Sequence, residues 1–210
     1  MRRILIVDDH VVVRDGVKKI FEEHLGGAAF GEASTAQEAL KLVRERTWDA
    51  VVLDISLGGR SGLDILPELK QLRPRLPVLI LSMHAEEQYA HRAFSAGAAG
   101  YITKDSPRAE LVIALNKVIA GGRYISPTLA EKLVFDMERG TDGPLHEALS
   151  NREFEVMRLI ASGKTVMEIA ELLSLSDRTI NTYRARILEK MGMKTNAELT
   201  HYAIKNGLVE

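Results

Sequence analysis

Five polar signals close apolar runs in the first half of this chain. Asp8 and Asp9 follow "RRILIV", Asp54 follows "DAVVL", Ser82 follows "PVLIL" and Lys104 follows "AAGYIT". A short Val/Ile/Leu-rich run bounded by polar residues is how a strand buried on both faces of a parallel sheet reads. In open parallel sheets, ligands bind just outside the carboxyl ends of the strands. Three acids, a hydroxyl and an amine placed there converge on one crevice. The carboxylates repel one another unless a hard cation sits among them, which points to Mg²⁺, held by two or three carboxylates and a backbone carbonyl. A lysine opposite them makes sense if a further anion arrives. Together these groups suit phosphoryl transfer, with Asp54 as the attacking carboxylate. A single strand-end Asp is ordinarily a turn former or a helix cap; here every βα unit but the second ends in a residue that serves one reaction.

The elements that must position these residues alternate regularly through residue 121. A helical stretch from Val11 to about His24 carries Val13, Val17, Ile20 and Phe21 on one face. Ser34 and Gln37 have capping-box spacing ahead of the next helix, and Pro67 inside "LDILPELKQL" predicts a kink or a late start. Ser106 and Pro107 offer an N-cap and N1 pair for a helix stopped at Gly121. Five such units predict a doubly wound α/β domain with a five-stranded parallel sheet in 2-1-3-4-5 order. Asp54 would then stand centrally, beside the doublet on the first strand.

Past Gly121 the strand signal stops. Residues 122–146 hold a short helix capped by Ser126-Pro127 and then "TDGPLHEA", a Gly- and Pro-containing linker. Residues 147–210 are all helix, with S/T-x-x-E boxes at Ser150/Glu153, Thr165/Glu168 and Thr195/Glu198. Ser176 is expected to cap a further helix from Asp177 to about Met191, stopped by Gly192. The chain of 210 residues, 46% hydrophobic and 27% charged, matches ordinary globular protein of two domains. No apolar run approaches membrane-spanning length, and the start lacks a signal-peptide core, so a cytoplasmic protein is expected. Cysteine is absent, which excludes disulfides and thiolate metal sites.

Residues 1–121, through "LIVDDH", "VVLDISL", "GLDIL", "VLILS" and "AGAAGYITKD", resemble the flavodoxin-like receiver domain of two-component response regulators. The resemblance implies that Asp8 and Asp9 bind Mg²⁺ with Asp54 and the backbone carbonyl of Ser56. It implies that Asp54 takes the phosphoryl group, Ser82 hydrogen-bonds it and Lys104 neutralises it. Tyr101 matches an aromatic that swings inward as the hydroxyl moves, and Ser56 and His84 match positions that tune the lifetime of the phosphorylated state. Gly58 and Asp105 stand where many relatives have proline.

In the helical half, Ile180, Ile187, Leu188 and Met191 form an apolar stripe, and the opposite face offers Arg178, Asn181, Thr182, Arg184, Ala185 and Arg186. Between Arg178 and Lys194 five basic residues stand against one acid, Glu189, although the whole chain carries a net charge of −1. A short capped helix, a tight "LSLSD" connection and this basic helix have helix-turn-helix geometry, which places the second helix in the major groove. "LSNREFEVMRLIASGKTVMEIAELLSLSDRTINTYRARILEKMGMKTNAEL" resembles the LuxR-type DNA-binding domain of NarL/FixJ regulators. The resemblance adds Lys164, Thr165 and Thr179 to the expected DNA contacts. Ile180, Asn181, Thr182 and Tyr183 depart from the common Val-Lys-x-His, and Asn181 suits adenine where lysine favours guanine or phosphate. Val166 and Met167 replace a common Asn-Lys pair.

The expectation is a phosphorylation-controlled transcription factor, not an enzyme. Its partners would be a sensor histidine kinase, paired DNA half-sites bound by a phosphorylated homodimer, and RNA polymerase. Two rivals remain at this stage: a Mg²⁺-dependent phosphatase using Asp54 as nucleophile, disfavoured because Ser56 stands where its general acid would be, and a scaffold that binds DNA without phosphorylation.

Overall fold

The computed structural model describes the chain apart from residues 58–59, 84–85, 128, 132–143 and 210, and for 86–88 the backbone alone. Gly58 and His84, singled out above, lie outside the described residues. The chain forms two compact units, Met1–Glu138 and Arg139–Glu210.

The first unit is built on a parallel sheet of five strands: β1 (Arg3–Val7), β2 (Ala29–Ala33), β3 (Ala50–Leu53), β6 (Val78–Ser82) and β7 (Gly100–Thr103), in the order β2-β1-β3-β6-β7. A two-residue antiparallel ladder, β4 (Ser56–Leu57) with β5 (Arg60–Ser61), follows β3 directly. β3 and β6 are buried along their whole length, because side chains on both faces of a central parallel strand meet helices. Five helices supply that cover: α1 (Val11–His24), α2 (Ala36–Glu45), α3 (Gly62–Leu72), α4 (Glu86–Ser95) and α5 (Arg108–Ile119). Ile4, Ile6, Val52, Leu79 and Ile102 face a cluster completed by Val17 and Phe21 of α1 and Leu111, Leu115 and Val118 of α5. The alternate residues Leu5, Val7, Val51, Leu53 and Ile80 point the other way and are equally buried. Each such fully buried side chain contributes roughly 1.5–3 kcal/mol relative to exposure. At the edge, Gly31 of β2 lies against the Trp48 indole, whose ring a Cβ there would overlap at 2.1 Å.

Several boundaries differ from the sequence reading. The cap of α2 is Thr35, which accepts from the Glu38 amide, and Glu38 reaches back to the amide and hydroxyl of Ser34. The Ser34/Gln37 box loses because an ionised carboxylate accepts amide protons more strongly than a neutral carboxamide. α5 begins at Arg108, one residue late, and Ser106 instead shares a hydrogen bond of 2.9 Å with Thr103. α3 starts five residues before Pro67 and continues through it. Tyr124, assigned to the linker from sequence, belongs to the core of the first unit. It is 7% exposed, its amide donates to the Ala99 carbonyl at 2.9 Å, and its hydroxyl donates to Glu110.

The second unit contains a short 3₁₀ turn, Leu145–Ala148, and helices α6 (Asn151–Ala161), α7 (Val166–Leu173), α8 (Asp177–Lys190) and α9 (Asn196–Lys205). Phe154, Met157, Ile169, Ile180, Ile187, Leu199 and Ala203 make its core. Both expected capping boxes at Ser150/Glu153 and Thr165/Glu168 form completely. In α9, Thr195 caps the Glu198 amide, but Glu198 reaches one residue further, to the Lys194 amide. Ser174 closes α7 in the left-handed region (φ 53°), and Ser176 caps α8, so three residues turn one helix into the next.

Glu153 does more than close a box. It is buried, and its carboxylate also receives the Lys190 ammonium of α8 at 2.6 Å, tying the start of α6 to the end of α8. Burial works against its charge, but the Lys190 and Ser150 hydrogen bonds outweigh that and hold its carboxyl below the ordinary value. A carboxyl depressed by folding stabilises the fold above its unfolded pKa and ceases to as pH falls through the folded value. Glu153→Gln is therefore expected to cost about 1–2 kcal/mol at pH 7, read from urea unfolding of the C-terminal unit. The difference from wild type should narrow as pH falls below the ordinary glutamate range and close once the depressed carboxyl is protonated.

Candidate functional site

The ends of β1, β3, β6 and β7 meet as the sheet order requires. Asp54 donates its amide to the Val7 carbonyl at 2.9 Å, which sets it beside Asp8. Lys104 extends the other side of the sheet, donating its amide to the Ser82 carbonyl at 2.8 Å. The Lys104 ammonium then reaches across to Asp8 Oδ2 at 2.6 Å and Asp54 Oδ2 at 2.9 Å. Both carboxylates are only 3% exposed and the lysine side chain 10%. The Asp54 contact is a hydrogen bond; Asp8 Oδ2 meets the ammonium as an ion pair off the hydrogen-bonding direction.

Asp9 lies at the mouth, 32% exposed, and pairs with the imidazole of His10 at 2.7 Å. The His10 amide donates to Asp8 Oδ1 at 2.8 Å. One ligand atom from each of Asp8, Asp9, His10 and Asp54 falls within 4.8 Å of the others, a group able to hold a metal ion. Three carboxylates against one ammonium leave an excess of about two negative charges, matching a divalent cation, and the oxygen-rich donor set suits a hard one.

Burial pushes the Asp54 carboxyl up to about 6; the Lys104 charge and hydrogen bond oppose that rise, Asp8 adds to it, and the Ser56 amide opposes it. For Lys104, burial disfavours the charge, but Asp54 and Asp8 outweigh it and raise its pKa above the ordinary lysine value. Asp54 is thus held on a tight backbone. Gly62, at the start of α3, donates to the Ile55 carbonyl at 2.7 Å, and a Cβ on it would lie 1.9 Å from the Asp54 carbonyl oxygen.

Ser82 and Tyr101 are both fully buried, Ser82 closing β6 and Tyr101 paired with Ile80 across β6 and β7. Ser56 meets the site through its amide on Asp54 and is itself exposed within the β4–β5 ladder. His10, Arg14 and Gly62 were missed by the sequence reading. His10 directly follows the doublet, and Arg14 shares the buried stripe of α1 with Val17 and Phe21, a charge at an apolar position. A separate cleft lined by Arg46, Trp48, Arg73, Arg75 and Ile119 holds none of these residues. Charge and burial, not concavity, mark the functional end of the sheet.

On the second unit, α8 exposes Arg178, Asn181, Thr182, Ala185 and Arg186, with Thr179 and Arg184 half-buried. Lys164 and Thr165 are exposed at the turn into α7. Ile180, Ile187 and Met191 face the core as expected, and Leu188 lies at its edge. Asn181 turns its amide onto the Asp177 carbonyl at 3.0 Å, and Arg184 donates to Asn196 Oδ1 at 2.6 Å. The basic count of this helix overstates its open charge, since Lys190 is tied to Glu153.

Fold and sites together define a receiver domain joined to a helix-turn-helix domain. Residues 4–116 match the response regulator receiver domain, and residues 147–203 match the bacterial regulatory proteins of the luxR family. The chain is 36% identical over 210 residues to the response regulator UvrY of Escherichia coli K12, covering 99% of this chain and 96% of that protein. It is 37% identical over 211 residues to the response regulator GacA of Pseudomonas protegens, covering 100% and 99%. A crystal structure of a LuxR-family two-component response regulator from Aurantimonas sp. SI85-9A1 superposes with a TM-score of 0.60 at 40% identity, covering 64% of this chain and 96% of that one. The chain belongs to the NarL/FixJ family of response regulators, with a receiver and a LuxR-type DNA-binding domain. Among the described residues no helix is long and apolar enough to cross a membrane.

The raised Asp54 carboxyl has a consequence for stability. Its folded value near 6 against an ordinary 3.8 means that stability present below pH 3.8 is lost as pH rises through 6. Asp54→Asn removes the charged form and should stabilise the receiver at pH 7 in metal-free buffer by on the order of 1–3 kcal/mol. Urea unfolding in EDTA at pH 7 and pH 4 checks this, with the gain expected only at pH 7. A variant no more stable than wild type at pH 7 would mean that the buried charge carries no net penalty.

Proposed function

We propose that this protein is a phosphorylation-switched transcriptional regulator, in which Asp54 accepts a phosphoryl group from a sensor histidine kinase in a Mg²⁺-dependent step. The observation that carries the reading is Asp54 itself, a buried carboxylate bridged to Asp8 by the Lys104 ammonium, with Asp9 in the same cluster of ligand atoms. Asp8, Asp9 and Asp54, with the Ser56 carbonyl, would hold the cation. When bound, Mg²⁺ neutralises charge on the transferring group and on the acids around it. Asp54 supplies the attacking oxygen: the new O–P bond forms as the P–N bond to the kinase imidazole breaks, and that imidazole leaves. Lys104, already within reach, would turn from Asp54 to the arriving phosphoryl oxygens, and the Ser82 hydroxyl would donate to another. The protein acts stoichiometrically in this role rather than as a turnover enzyme, and both kinase and DNA would be met in the cytoplasm.

In the helix-turn-helix domain, α8 would enter the major groove, with Asn181 reading a base and Arg178, Arg184 and Arg186 approaching phosphates, supported by Lys164, Thr165, Thr179, Thr182 and Ala185. Phosphorylation would raise affinity for paired half-sites by favouring a dimer, a coupling of about 1–3 kcal/mol in typical allosteric systems. Ser82 and Tyr101 would carry the phosphoryl signal to the receiver surface.

Acetyl phosphate with Mg²⁺ should add one phosphoryl group to the wild type and none to Asp54→Asn, read by intact mass. Equal labelling of the variant, or full labelling in EDTA, would overturn the assignment.

Asn181→Ala should lose about 1–3 kcal/mol on the preferred DNA site and relax selectivity at one base pair. Arg184→Ala should weaken all sequences alike and flatten the salt dependence. Binding titrations on specific and random duplexes separate the two; equal loss on both for Asn181→Ala would remove its base-reading role.

A further inference from the structure

Arg14 is a charged residue on the buried stripe of α1, with only 9% of its surface exposed. A guanidinium so placed is unfavourable unless its donors are met. Its Nη1 donates to the backbone carbonyl of Asp8 at 2.6 Å, and its Nε donates to Glu32 Oε2 on β2 at 3.3 Å. The other Glu32 oxygen faces the Lys18 ammonium at 3.3 Å. Burial disfavours the Glu32 charge, but Lys18 and Arg14 outweigh it, so the carboxylate stays ionised as an anchor. Asp8 is therefore clamped from three directions: its carbonyl by Arg14, Oδ1 by the His10 amide at 2.8 Å and Oδ2 by Lys104 at 2.6 Å.

The carbonyl of Asp8 belongs to the peptide that joins it to Asp9. Fixing that carbonyl restrains the peptide plane, and with it the placement of the two Cα atoms from which the Asp8 and Asp9 side chains leave the backbone. We propose that Arg14 is a positioning residue for the divalent-cation site: it orients the Asp8–Asp9 peptide so that both carboxylates face one crevice, and Glu32 in turn holds Arg14. The second βα unit places no side chain in the crevice and acts on it through Glu32. This inference rests on the Mg²⁺ reading proposed above.

The sign of the effect separates positioning from simple charge. Removing a positive charge near a cation site strengthens cation binding by Coulomb attraction alone; losing a positioning residue weakens it. Titration calorimetry of the full chain with MgCl₂ is the direct readout, with thermal unfolding to confirm that each variant folds. Arg14→Met is expected to weaken Mg²⁺ binding about tenfold, the lower end for loss of an outer-shell partner. Arg14→Lys, which keeps the charge but lacks the fork needed to meet Asp8 and Glu32 together, should fall between the two. Glu32→Gln should weaken binding in the wild-type background and add nothing in the Arg14→Met background, because it acts only through Arg14.

Wild-type protein that binds no Mg²⁺ would sink the metal reading itself. If wild type binds and folded Arg14→Met binds as well or better, positioning by Arg14 is wrong. Equal weakening by Glu32→Gln in both backgrounds would also overturn it, leaving only a long-range charge effect. Should Arg14→Met fail to fold, wild-type affinity in both Arg14→Lys and Glu32→Gln would refute positioning in its place.

Discussion

The acidic crevice of the first domain depends on one ammonium group. Lys104 spans two buried carboxylates that would otherwise repel each other at the ends of adjacent strands, Asp8 at 2.6 Å and Asp54 at 2.9 Å. That contact requires the strand order found here, because the lysine leaves β7, two strands away from the β3 end that carries Asp54, and must cross the mouth of β6. It also requires the backbone to be in register at each step, and the amides of Asp54 and Lys104 supply this through the carbonyls of Val7 and Ser82. A single cation cannot neutralise three acids. The residue of negative charge is what a hard divalent cation would meet, while burial, with a smaller contribution from Asp8, is what raises the Asp54 carboxyl to about 6. The fold carries this unfavourable charge because the central strands β3 and β6 are buried along both faces and hold the site in place. Local strain of this kind is characteristic of functional sites and is offset elsewhere in the core.

The second domain solves a different problem, that of presenting a polar helix rigidly. α8 is anchored behind by Ile180 and Ile187, both fully buried, and at its end by the Lys190–Glu153 ion pair. Arg184 bridges to Asn196 at the start of α9, so its long side chain is already ordered before any DNA arrives. Asn181 and Thr182 return hydrogen bonds to their own helix, at the Asp177 and Arg178 carbonyls. In the proposed DNA-bound state those side-chain bonds would be exchanged for groove contacts without disturbing the helix's backbone ladder. Anchoring and exposure are thus divided by helix face, which is the arrangement a groove-reading helix needs.

Much of this was legible because the signals were local and redundant. Buried parallel strands announce themselves by continuous Val, Ile and Leu, and the residue that ends each one is readable without knowing the fold. The boxes at Ser150 and Thr165 were legible because each cap and its glutamate lie three residues apart. Where two caps competed, as with Ser34 and Thr35, the choice turned on whether the partner was Gln37 or Glu38, a difference in charge rather than spacing. Tyr124 escaped because its partners, Ala99 and Glu110, are remote in sequence and its neighbours read as linker. Lys190 looked like part of a basic face until Glu153, 37 residues away, claimed it. Arg14 was missed: it stands as a charge at an apolar position of α1, and its purpose lies in a backbone carbonyl, which no side-chain pattern reveals.

The same distinction governs how a change at Asp54 could travel. In the proposed reaction the carboxylate, bearing one negative charge, becomes an acyl phosphate with about two. Lys104 and Ser82 are the groups expected to answer that charge, and they are not independent. The Lys104 amide is bonded to the Ser82 carbonyl, and Thr103 pairs with Ser82 in the β6–β7 ladder. Any displacement of one strand end is therefore shared by the other. Tyr101 lies two residues before Thr103 on that same strand and is fully buried, so a shift there cannot be absorbed by solvent. Close-packed interiors pass displacement on rather than damp it. In the proposed switch the strand pair β6–β7 would therefore report the charge at Asp54 as one unit, and the packing around Tyr101 would be where that report leaves the sheet.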